Sequence, residues 1–508
     1  MIRGGGTISS DLALPAGETA GNGAAERAKA PKPSLGVQVF QNTAAQLAGR
    51  VVGIFLSAGT SILLARFLGK EKLGEYGAIY AYLSLYGFFA TFCLEQILAR
   101  EVSVRRHQAA EIFHTARLTA LGFSLLGTLM ATAAAPLFGY AGGMRWLIAI
   151  AAVDLLIMSP VKFIGVIFQV EMKLWYTVAI GTIRQLLWLA AVVLLAMRNA
   201  AFYEVIVART MVGVLEAAII VWSVKKTGLI QGKRAFISDD AWMMLRAGLP
   251  LVLTTLASGI YHRIDQVMLH KMSGDRVLGP YVIAVQLTEL FSALPIALMT
   301  SLFPALAQNA SDEEKFKRYL GETYRFLMVI VFAACALASP VAAPLVELFY
   351  GKQYLPTAGL LIVLIWSEVP IFYFAALGNA LVAKGLQRHL PGGAALGAVV
   401  NILLNLVLIP KFGALGASWA TVASYSSGLI YLMFIADARR LALQGLRIAL
   451  WPFLLSVGIA LSFPSWRANF VWKVLMASLI YFAGCWWSGM IKKSDIERLG
   501  AMFKQGLA

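Results

Sequence analysis

The chain has 508 residues, of which 59% are apolar and 14% are charged, with a net charge of +17. A soluble protein of this length carries closer to a quarter charged residues, and the apolar residues here form runs long enough to cross a bilayer as helices. No segment alternates as a β-barrel strand does. The basic residues are scattered between the runs, which is typical of topology signals and argues against a nucleic-acid partner. The sequence predicts an all-α integral membrane protein.

The apolar runs predict fourteen spans. Lys and Arg are about twice as frequent in alternate loops, which predicts that both chain termini lie in the cytoplasm. Residues 1–37, rich in Gly, Ala and Pro, are expected to form a disordered cytoplasmic tail, and residues 491–508 a second tail. The predicted spans fall near residues 40–65, 77–99, 114–137, 146–168, 175–197, 202–223, 245–269, 280–303, 324–348, 359–382, 391–410, 416–436, 448–464 and 469–490.

A repeat links the first and seventh spans. Residues 64–76 match residues 269–281 at an offset of 205, with five identical positions, and each copy lies between two apolar runs. Six spans separate the copies, so both halves insert the same way up, related by an axis along the membrane normal. Paired bundles of this kind are most often transporters, because they enclose a cavity. The predicted units are an N-lobe at 38–235, a C-lobe at 236–440 joined by a hydrophilic linker near 224–244, and two extra spans within 441–490.

Nine of the charged residues within the predicted spans are candidate site residues. Each charge at the centre of a bilayer costs about 2.5–3.5 kcal/mol, so these side chains must line a wet cavity or pair with each other. The arginines suit an anionic group such as a phosphate, which guanidinium binds in a bidentate manner. The acids are candidates to bind a coupling cation, H+ or Na+, or to balance the arginines. The arginines are Arg50, Arg184, Arg209 and Arg263, and the acids are Asp154, Glu216, Asp265, Glu289 and Glu368.

A structural interpretation of these charges stays open. Arg209 and Glu216 lie seven residues apart on one helical face and could pair. Arg263 and Asp265 lie two residues apart and point about 200° from each other on a helix, so they are poorly placed to form an ion pair with each other. At least one of these two is expected to face a cavity.

Prolines within the predicted spans indicate bends in those helices. Pro160, Pro295 and Pro370 lie within predicted spans four, eight and ten, where proline permits helix breaks of the kind found at transport sites.

The three cysteines lie in apolar runs without metal-type spacing. The sequence contains no phosphate loop, zinc pair or esterase elbow, and the short outer loops leave no room for a catalytic domain. We therefore expect a transporter without enzymatic activity, cofactor or metal.

One segment resembles a known family. Residues 401–420 read Asn-Ile-Leu-Leu-Asn-Leu-Val-Leu-Ile-Pro-Lys-Phe-Gly-Ala-Leu-Gly-Ala-Ser-Trp-Ala, which resembles the signature of bacterial polysaccharide flippases. These form the polysaccharide-transporter branch of the multidrug/oligosaccharidyl-lipid/polysaccharide exporter superfamily. Arg263-Ile-Asp265 and Leu302-Phe-Pro304 resemble the same family, and the likeness extends over about 38–490. In physical terms, Asn401 and Asn405 can bond across helices, and Pro410 is expected to end its helix.

The resemblance implies two six-helix lobes in a V shape that rock between inward and outward states. The implied cargo is an oligosaccharide on undecaprenyl diphosphate, moved to the outer leaflet of the bacterial inner membrane for lipopolysaccharide or exopolysaccharide synthesis, driven by an ion gradient or the membrane potential. Membrane lipids, a polysaccharide polymerase and chain-length proteins are the implied partners. A peptidoglycan-precursor (lipid II) flippase and a cation-coupled multidrug antiporter are alternatives. A membrane glycosyl polymerase or ligase is the least favoured.

Overall fold

The fold is given by a computed structural model that describes residues 35–171, 174–227, 235–462 and 469–493. Within these ranges every regular element is a helix and no strand occurs. Among the described residues, twelve helical segments are long and apolar enough to cross a membrane, so the predicted all-α membrane class is confirmed. The α-helices are α1 (Leu35–Ser84), α2 (Leu94–Val104), α3 (Ala109–Ala134), α4 (Gly142–Val170), α5 (Leu174–Met197), α6 (Phe202–Thr227), α7 (Ser238–Ser273), α8 (Asp275–Gln308), α9 (Glu313–Tyr350), α10 (Pro356–Leu364), α11 (Glu368–Ala383), α12 (Leu390–Phe412), α13 (Ala414–Met433), α14 (Ala436–Ser462) and α15 (Phe470–Trp487).

Four of the predicted spans depart from the expectation of one separate, strongly apolar helix for each span. α1 contains the first span and the start of the second, joined at Gly69. The tenth span is divided between α10 and α11 by a 3-10 turn at Ile365–Ser367. α13 occupies the twelfth span, but its serine-rich sequence is less apolar than the twelve candidate segments. The count of fourteen therefore stays a prediction.

The predicted tails and linker lie partly outside the described ranges. Residues 35–37 of the predicted N-terminal tail begin α1, and the rest of that tail is not described. The same holds for residues 494–508 of the predicted C-terminal tail. The hydrophilic linker is shorter than predicted, because α6 continues to Thr227 and α7 begins at Ser238. The lobe limits themselves stay predictions.

The second span is interrupted in its middle, between α1 and α2. A 3-10 turn at Gly87–Ala90 follows the end of α1, and Phe92 and Cys93 then adopt positive φ angles of 48° and 54°. Left-handed conformations are costly for residues other than glycine, so packing must hold this segment in place. Phe92 stacks on Phe123 of α3 with ring centroids 4.3 Å apart. The broken stretch is thus fixed against the neighbouring helix.

Two of the three prolines do not break their helices. α4 and α8 run without interruption past Pro160 and Pro295, so the prediction of breaks at these positions is wrong. A spanning helix tolerates the lost hydrogen bond when neighbouring groups satisfy the freed carbonyl. Pro370 does lie beside a break, as the third residue of α11. At that position the proline has no helical N–H bond to lose.

The first lobe (α1–α6) and the second lobe (α7–α13) share one hydrophobic core at the end of the bundle that contains Gly69 and Gly274. At the opposite end, where residues 235–237 lead into α7, the lobes form separate cores. One surrounds Phe163 of α4, and the other surrounds Phe372 of α11 and is covered by α14 and α15. The lobes therefore converge at the first end, which we call the closed end, and separate toward the second, which we call the link end.

The sequence repeat forms the closed end. Gly69 and Gly274 have matching backbone conformations, with φ of 70° and 82° and ψ of 176° and 170°. Each ends one long helix and starts the next, and each adopts a left-handed conformation that favours glycine. The repeat is therefore present in the backbone structure as well as in the sequence.

The two copies of the repeat also touch each other reciprocally. A Cβ on Gly74 would lie 2.0 Å from the carbonyl oxygen of Asp275, and a Cβ on Gly279 would lie 2.0 Å from that of Lys70. Asp275 and Lys70 are themselves equivalent positions of the repeat. Only glycine allows backbones to approach this closely. The closed end is thus sealed by two equivalent backbone contacts around a pseudo-twofold axis.

Basic residues of the repeat strengthen this seal. Arg66 of α1 reaches across to α9 and donates hydrogen bonds to the carbonyl oxygens of Leu348 and Phe349, each at 2.7 Å. Its counterpart in the repeat, Lys271, crosses in the other direction and lies 3.8 Å from the centre of the Tyr140 ring. Each lobe therefore contributes one basic side chain that contacts the other lobe at the closed end.

The segment that carries the flippase resemblance packs largely as predicted. Asn405 donates to Asn401 at 2.8 Å, and Asn401 donates across to Ser424 of α13 at 3.1 Å. The prediction that Pro410 ends its helix is wrong, since α12 continues for two further residues and turns at Gly413, with φ 55°. Proline fits a helical φ and removes only one backbone hydrogen bond.

Candidate substrate cavity

A central cavity of about 520 Å³ lies between the two lobes. The first lobe contributes side chains from α1, α4 and α6 and from the broken segment near Phe88, and the second lobe contributes α7 and α8. The walls mix apolar surface with five charged side chains of both signs. These are Asp154, Lys162, Arg209, Arg263 and Glu289.

Arg209 is the most enclosed of the predicted cationic residues. Its guanidinium carbon lies 4.0 Å from the ring centre of Tyr80, 5.5 Å from that of Tyr76 and 5.9 Å from that of Trp188. Arg209 also donates a hydrogen bond to the Tyr76 hydroxyl. Aromatic faces attract a desolvated guanidinium by about 2 kcal/mol. This aromatic cage holds a positive charge at the cavity wall without neutralising it.

The predicted pair of Arg209 and Glu216 does not form. Glu216 instead forms an ion pair with Arg184 of α5, with Nε and Oε2 3.4 Å apart. Seven residues of helix separate Arg209 from Glu216 by about 10 Å along the axis, whereas Arg184 lies on the adjacent helix. Arg184, Glu216, Arg209 and Asp154 line a smaller cavity of about 370 Å³. We call this smaller cavity the cationic recess of the first lobe. It adjoins the central cavity, with which it shares Asp154 and Arg209.

Arg263 pairs with Glu289 of α8 at 2.9 Å, and the predicted alternative partner, Asp265, is bound elsewhere. Both members of the Arg263–Glu289 pair line the central cavity and a second-lobe cavity of about 730 Å³. The pair is only partly buried, with 33% and 42% of the side-chain surfaces exposed. It therefore stands at the junction of the two cavities, where a ligand could reach either member.

Asp265 lies in the wall of the second-lobe cavity and is 3% exposed. Its carboxylate accepts from the Tyr281 hydroxyl, from the backbone N–H of Gln266 at 2.7 Å and from the Thr421 hydroxyl at 3.3 Å. These are neutral donors. A carboxylate that is satisfied by neutral donors keeps its capacity to attract a cation.

Glu368 lies at the start of α11 in the same cavity and is 1% exposed. The Ser292 hydroxyl lies 2.9 Å and 2.8 Å from its two carboxylate oxygens. The 3-10 turn between α10 and α11 places this carboxylate at the first turn of a helix, where the helix dipole favours a negative charge. The second-lobe cavity is thus lined by Asp265, Glu289 and Glu368 against the single arginine Arg263.

Arg50 stands apart from the other predicted residues. It lies on α1, is exposed, and is absent from the linings of these three cavities. Lys162, by contrast, lines the central cavity and lies 3.7 Å from Glu95 of α2. The structure therefore brings three of the four predicted arginines to the cavities.

The sequence did not point to the side chains that hold these charges. Tyr76, Tyr80 and Trp188 around Arg209 lie on two helices, and Ser292 reaches Glu368 across 76 residues of sequence. Tyr76 could have been found, because it closes the repeat together with Tyr281. The others carried no signal that separates them from ordinary aromatic and hydroxyl residues in spanning helices.

Comparison with known proteins agrees with this architecture. The sequence profile of the family described as "Polysaccharide biosynthesis protein" matches residues 63–359. The chain belongs to this family. It is 19% identical to the "Probable low-salt glycan biosynthesis flippase Agl15" of Haloferax volcanii over 71% of this chain and 76% of that protein. It is also 26% identical to the "Probable flippase AglR" of the same organism, over 52% of this chain and 54% of that one.

Solved structures share the fold of this family member. The inward closed conformation of the lipid II flippase MurJ has a TM-score of 0.69, with 16% identity over 88% of this chain and 98% of that one. The multidrug transporter DinF-BH has a TM-score of 0.59, with 14% identity over 81% and 97%. The predicted resemblance to polysaccharide flippases, and the paired-lobe transporter fold, are confirmed.

Proposed function

We propose that this chain moves a lipid-linked oligosaccharide, carried on a polyprenyl diphosphate such as undecaprenyl diphosphate, across the inner membrane of a bacterium. The observation that carries the proposal is the cationic recess of the first lobe, which contains Arg209 and Arg184 and joins the cavity between the two lobes at Arg209. The diphosphate of such a cargo is esterified at both ends and is a dianion, and guanidinium groups bind phosphate oxygens strongly and with defined geometry.

The distribution of basic residues supports an orientation for this transport. The excess of Lys and Arg in one set of loops favours a cytoplasmic link end and cytoplasmic termini. In that orientation the lobes meet on the outer side and separate on the inner side. The cavity would then take its cargo from the cytoplasmic leaflet and release it outside after the lobes rock about the closed end.

The charged pairs support a mechanism in which the cargo exchanges partners with the protein. Arg184 and Arg263 each already pair with a carboxylate, Glu216 and Glu289. A diphosphate that binds these arginines would release the carboxylates, while Arg209 offers a charge held by neutral rings. Ligand binding that exchanges one ion pair for another avoids leaving a charge unpaired.

The second lobe supplies candidates for coupling. Asp265 and Glu368 are buried acids bound by neutral donors, and they line the larger cavity together with Glu289. We propose that this acidic wall binds the coupling cation, H+ or Na+, and that Asp154 and Glu216 balance the arginines of the first lobe. A cation that binds one lobe state more tightly than the other shifts the population between the states.

The test is transport of a labelled lipid-linked oligosaccharide in proteoliposomes. Arg209→Ala should lower the initial rate at least about tenfold, because it removes a charge-assisted contact worth about 1.5–3 kcal/mol. Arg198→Ala is the matched control, since this arginine is 61% exposed and pairs with Glu204 outside the cavity linings. Its rate should stay within twofold of wild type.

Equal rates for Arg209→Ala and wild type would refute the role of the cationic recess. The same vesicles separate the alternatives through their cargo. Transport of lipid II alone would identify a peptidoglycan-precursor flippase, and efflux of a cationic dye without lipid transport would identify a drug antiporter.

A further inference from the structure

The two tyrosines that close the sequence repeat hold opposite charges. Tyr76 and Tyr281 occupy equivalent positions at an offset of 205, and they are 5% and 0% exposed. The hydroxyl of Tyr76 accepts a hydrogen bond from Arg209 of α6. The hydroxyl of Tyr281 donates one to Asp265 of α7. One repeated side chain therefore contacts the enclosed cation of the first lobe and the enclosed acid of the second.

The chemistry of phenol explains how one residue can serve both lobes. A tyrosine hydroxyl carries one donor and acceptor lone pairs, so it can accept from a guanidinium or donate to a carboxylate. In both cases it satisfies the charged group without cancelling its charge. Since each hydrogen bond also restricts the side chain to one orientation, the charge is presented to the cavity in a fixed position.

The same segments also seal the closed end. Gly74 and Gly279 lie two residues before the tyrosines and make the reciprocal backbone contacts with the opposite repeat. A movement that separates the lobes at the closed end must therefore displace the helix turns that carry Tyr76 and Tyr281. The position of each charge is linked to the state of the seal by a rigid half-turn of helix.

We propose that Tyr76 and Tyr281 are positioning residues that set the anion site of the first lobe and the cation site of the second lobe, respectively. The inference rests on the proposed function for the identity of the two ligands. It predicts that each hydroxyl affects the binding of one ligand only. Loss of the Tyr76 hydroxyl weakens binding of the diphosphate, and loss of the Tyr281 hydroxyl weakens binding of the cation.

The first test measures binding to the purified full-length protein, with farnesyl diphosphate as the probe. Tyr76→Phe should weaken its affinity about tenfold, a typical effect of losing a hydrogen bond to a charged group. Tyr203→Phe is the matched control, because it removes a phenolic hydroxyl from α6, the helix of Arg209, at an exposed position outside the linings of the three cavities. The affinity of Tyr203→Phe should equal that of wild type.

The second test measures the sodium and proton dependence of thermal stability and of transport. Tyr281→Phe should raise the half-saturating cation concentration about tenfold and leave the affinity for farnesyl diphosphate unchanged. Tyr76→Phe should show the reverse pattern. Tyr373→Phe is the matched control, because it removes a buried hydroxyl of the second lobe that donates to the Ala442 carbonyl outside the second-lobe cavity. Its half-saturating cation concentration should equal that of wild type, which separates loss of a donor to Asp265 from loss of a buried hydroxyl in general.

Several outcomes would overturn the inference. These are an unchanged diphosphate affinity in Tyr76→Phe, an equal loss in Tyr203→Phe, or a loss of both ligands in either Tyr76→Phe or Tyr281→Phe. If Tyr76→Phe does not yield monodisperse protein, Tyr76→His restores an acceptor on a smaller ring and should retain affinity within about threefold. Arg209→Ala supplies a further check, since Tyr76→Phe should weaken binding no further once the donor on Arg209 is removed.

The failure of this inference is distinguishable from failure of the proposed function. Binding that depends on Tyr76 without transport of any lipid-linked oligosaccharide would refute the proposed cargo and keep the positioning role. Transport that survives Tyr76→Phe with unaltered Michaelis constant would keep the proposed function and refute the positioning role. Wild-type protein that binds no farnesyl diphosphate would overturn the first-lobe half of the inference.

Discussion

The closed end and the link end of the bundle are built on different principles. At the closed end both lobes contribute equivalent residues, and backbone packs on backbone at Gly74 and Gly279 around a shared core. At the link end the lobes have separate cores. The lobes are therefore joined by a symmetric seal at one end, whereas at the other end each lobe packs around its own core.

The contacts at the link end are asymmetric. The start of α7 belongs to the second lobe by sequence, but it packs on the first lobe. Asp240 accepts from Arg105 at 3.0 Å, and the Thr115 hydroxyl accepts from the backbone N–H of Ile237 at 3.1 Å. Met244 lies in the core of the first lobe. α7 thus leaves the first lobe at the link end and reaches the seal at Gly274.

The largest expected effect comes from the seal itself. In the double variant Gly74→Ala, Gly279→Ala, each new methyl group meets a carbonyl oxygen, and overpacking of this kind costs about 1–3 kcal/mol at each site. We expect the closed end to open. Labelling of a cysteine introduced at Ser61, which contacts Gln286 across the lobes at 2.5 Å, should rise at least about tenfold from the outside.

The control for this change is Gly122→Ala on α3, where an added Cβ meets nothing within 4 Å. Its labelling should match that of the parent protein. A double variant that labels no faster than Gly122→Ala would show that the glycine contacts do not hold the lobes together.

The seal shows which features the sequence could reveal. The membrane class, the repeat and the buried charges were predictable, because span length, local identity and the cost of a charge in a bilayer are properties of short segments. The partners of the charges were not. Arg184 meets Glu216 on a neighbouring helix, and only the packing of helices decides such pairs. Glycines that touch across lobes look in the sequence like glycines in any spanning helix.

The interruption of the second span marks another limit of the sequence. The segment near Phe92 contains no proline, while the prolines of α4 and α8 lie in continuous helices. A break depends on whether neighbouring side chains can hold an irregular backbone, as Phe123 does here. That information is tertiary, so local propensity pointed to the wrong helices.

A smaller effect is expected from the cation that crosses the closed end. Arg66→Ala removes two hydrogen bonds to the last carbonyls of α9. Because Arg66 is exposed, we expect a loss of about 1 kcal/mol and a rise of about fivefold in labelling at Ser61. The matched control is Lys72→Ala, whose partner Glu75 lies on the same helix. Equal labelling of the two variants would mean that Arg66 is not part of the seal.

The smallest expected effect lies at the link end. It tests whether the start of α7 moves together with the first lobe. Asp240→Asn weakens the pair with Arg105, which is worth about 0.5–1 kcal/mol at such partly exposed sites, and should lower the melting temperature by about 2 °C. Asp239→Asn removes a neighbouring, exposed charge from the same first turn and controls for the helix dipole.

If α7 stays attached to the first lobe in both states, neither change alters labelling at Ser61 more than twofold. A change as large as that of Arg66→Ala would instead place this attachment within the moving parts, because only a contact that differs between the two states can shift their populations.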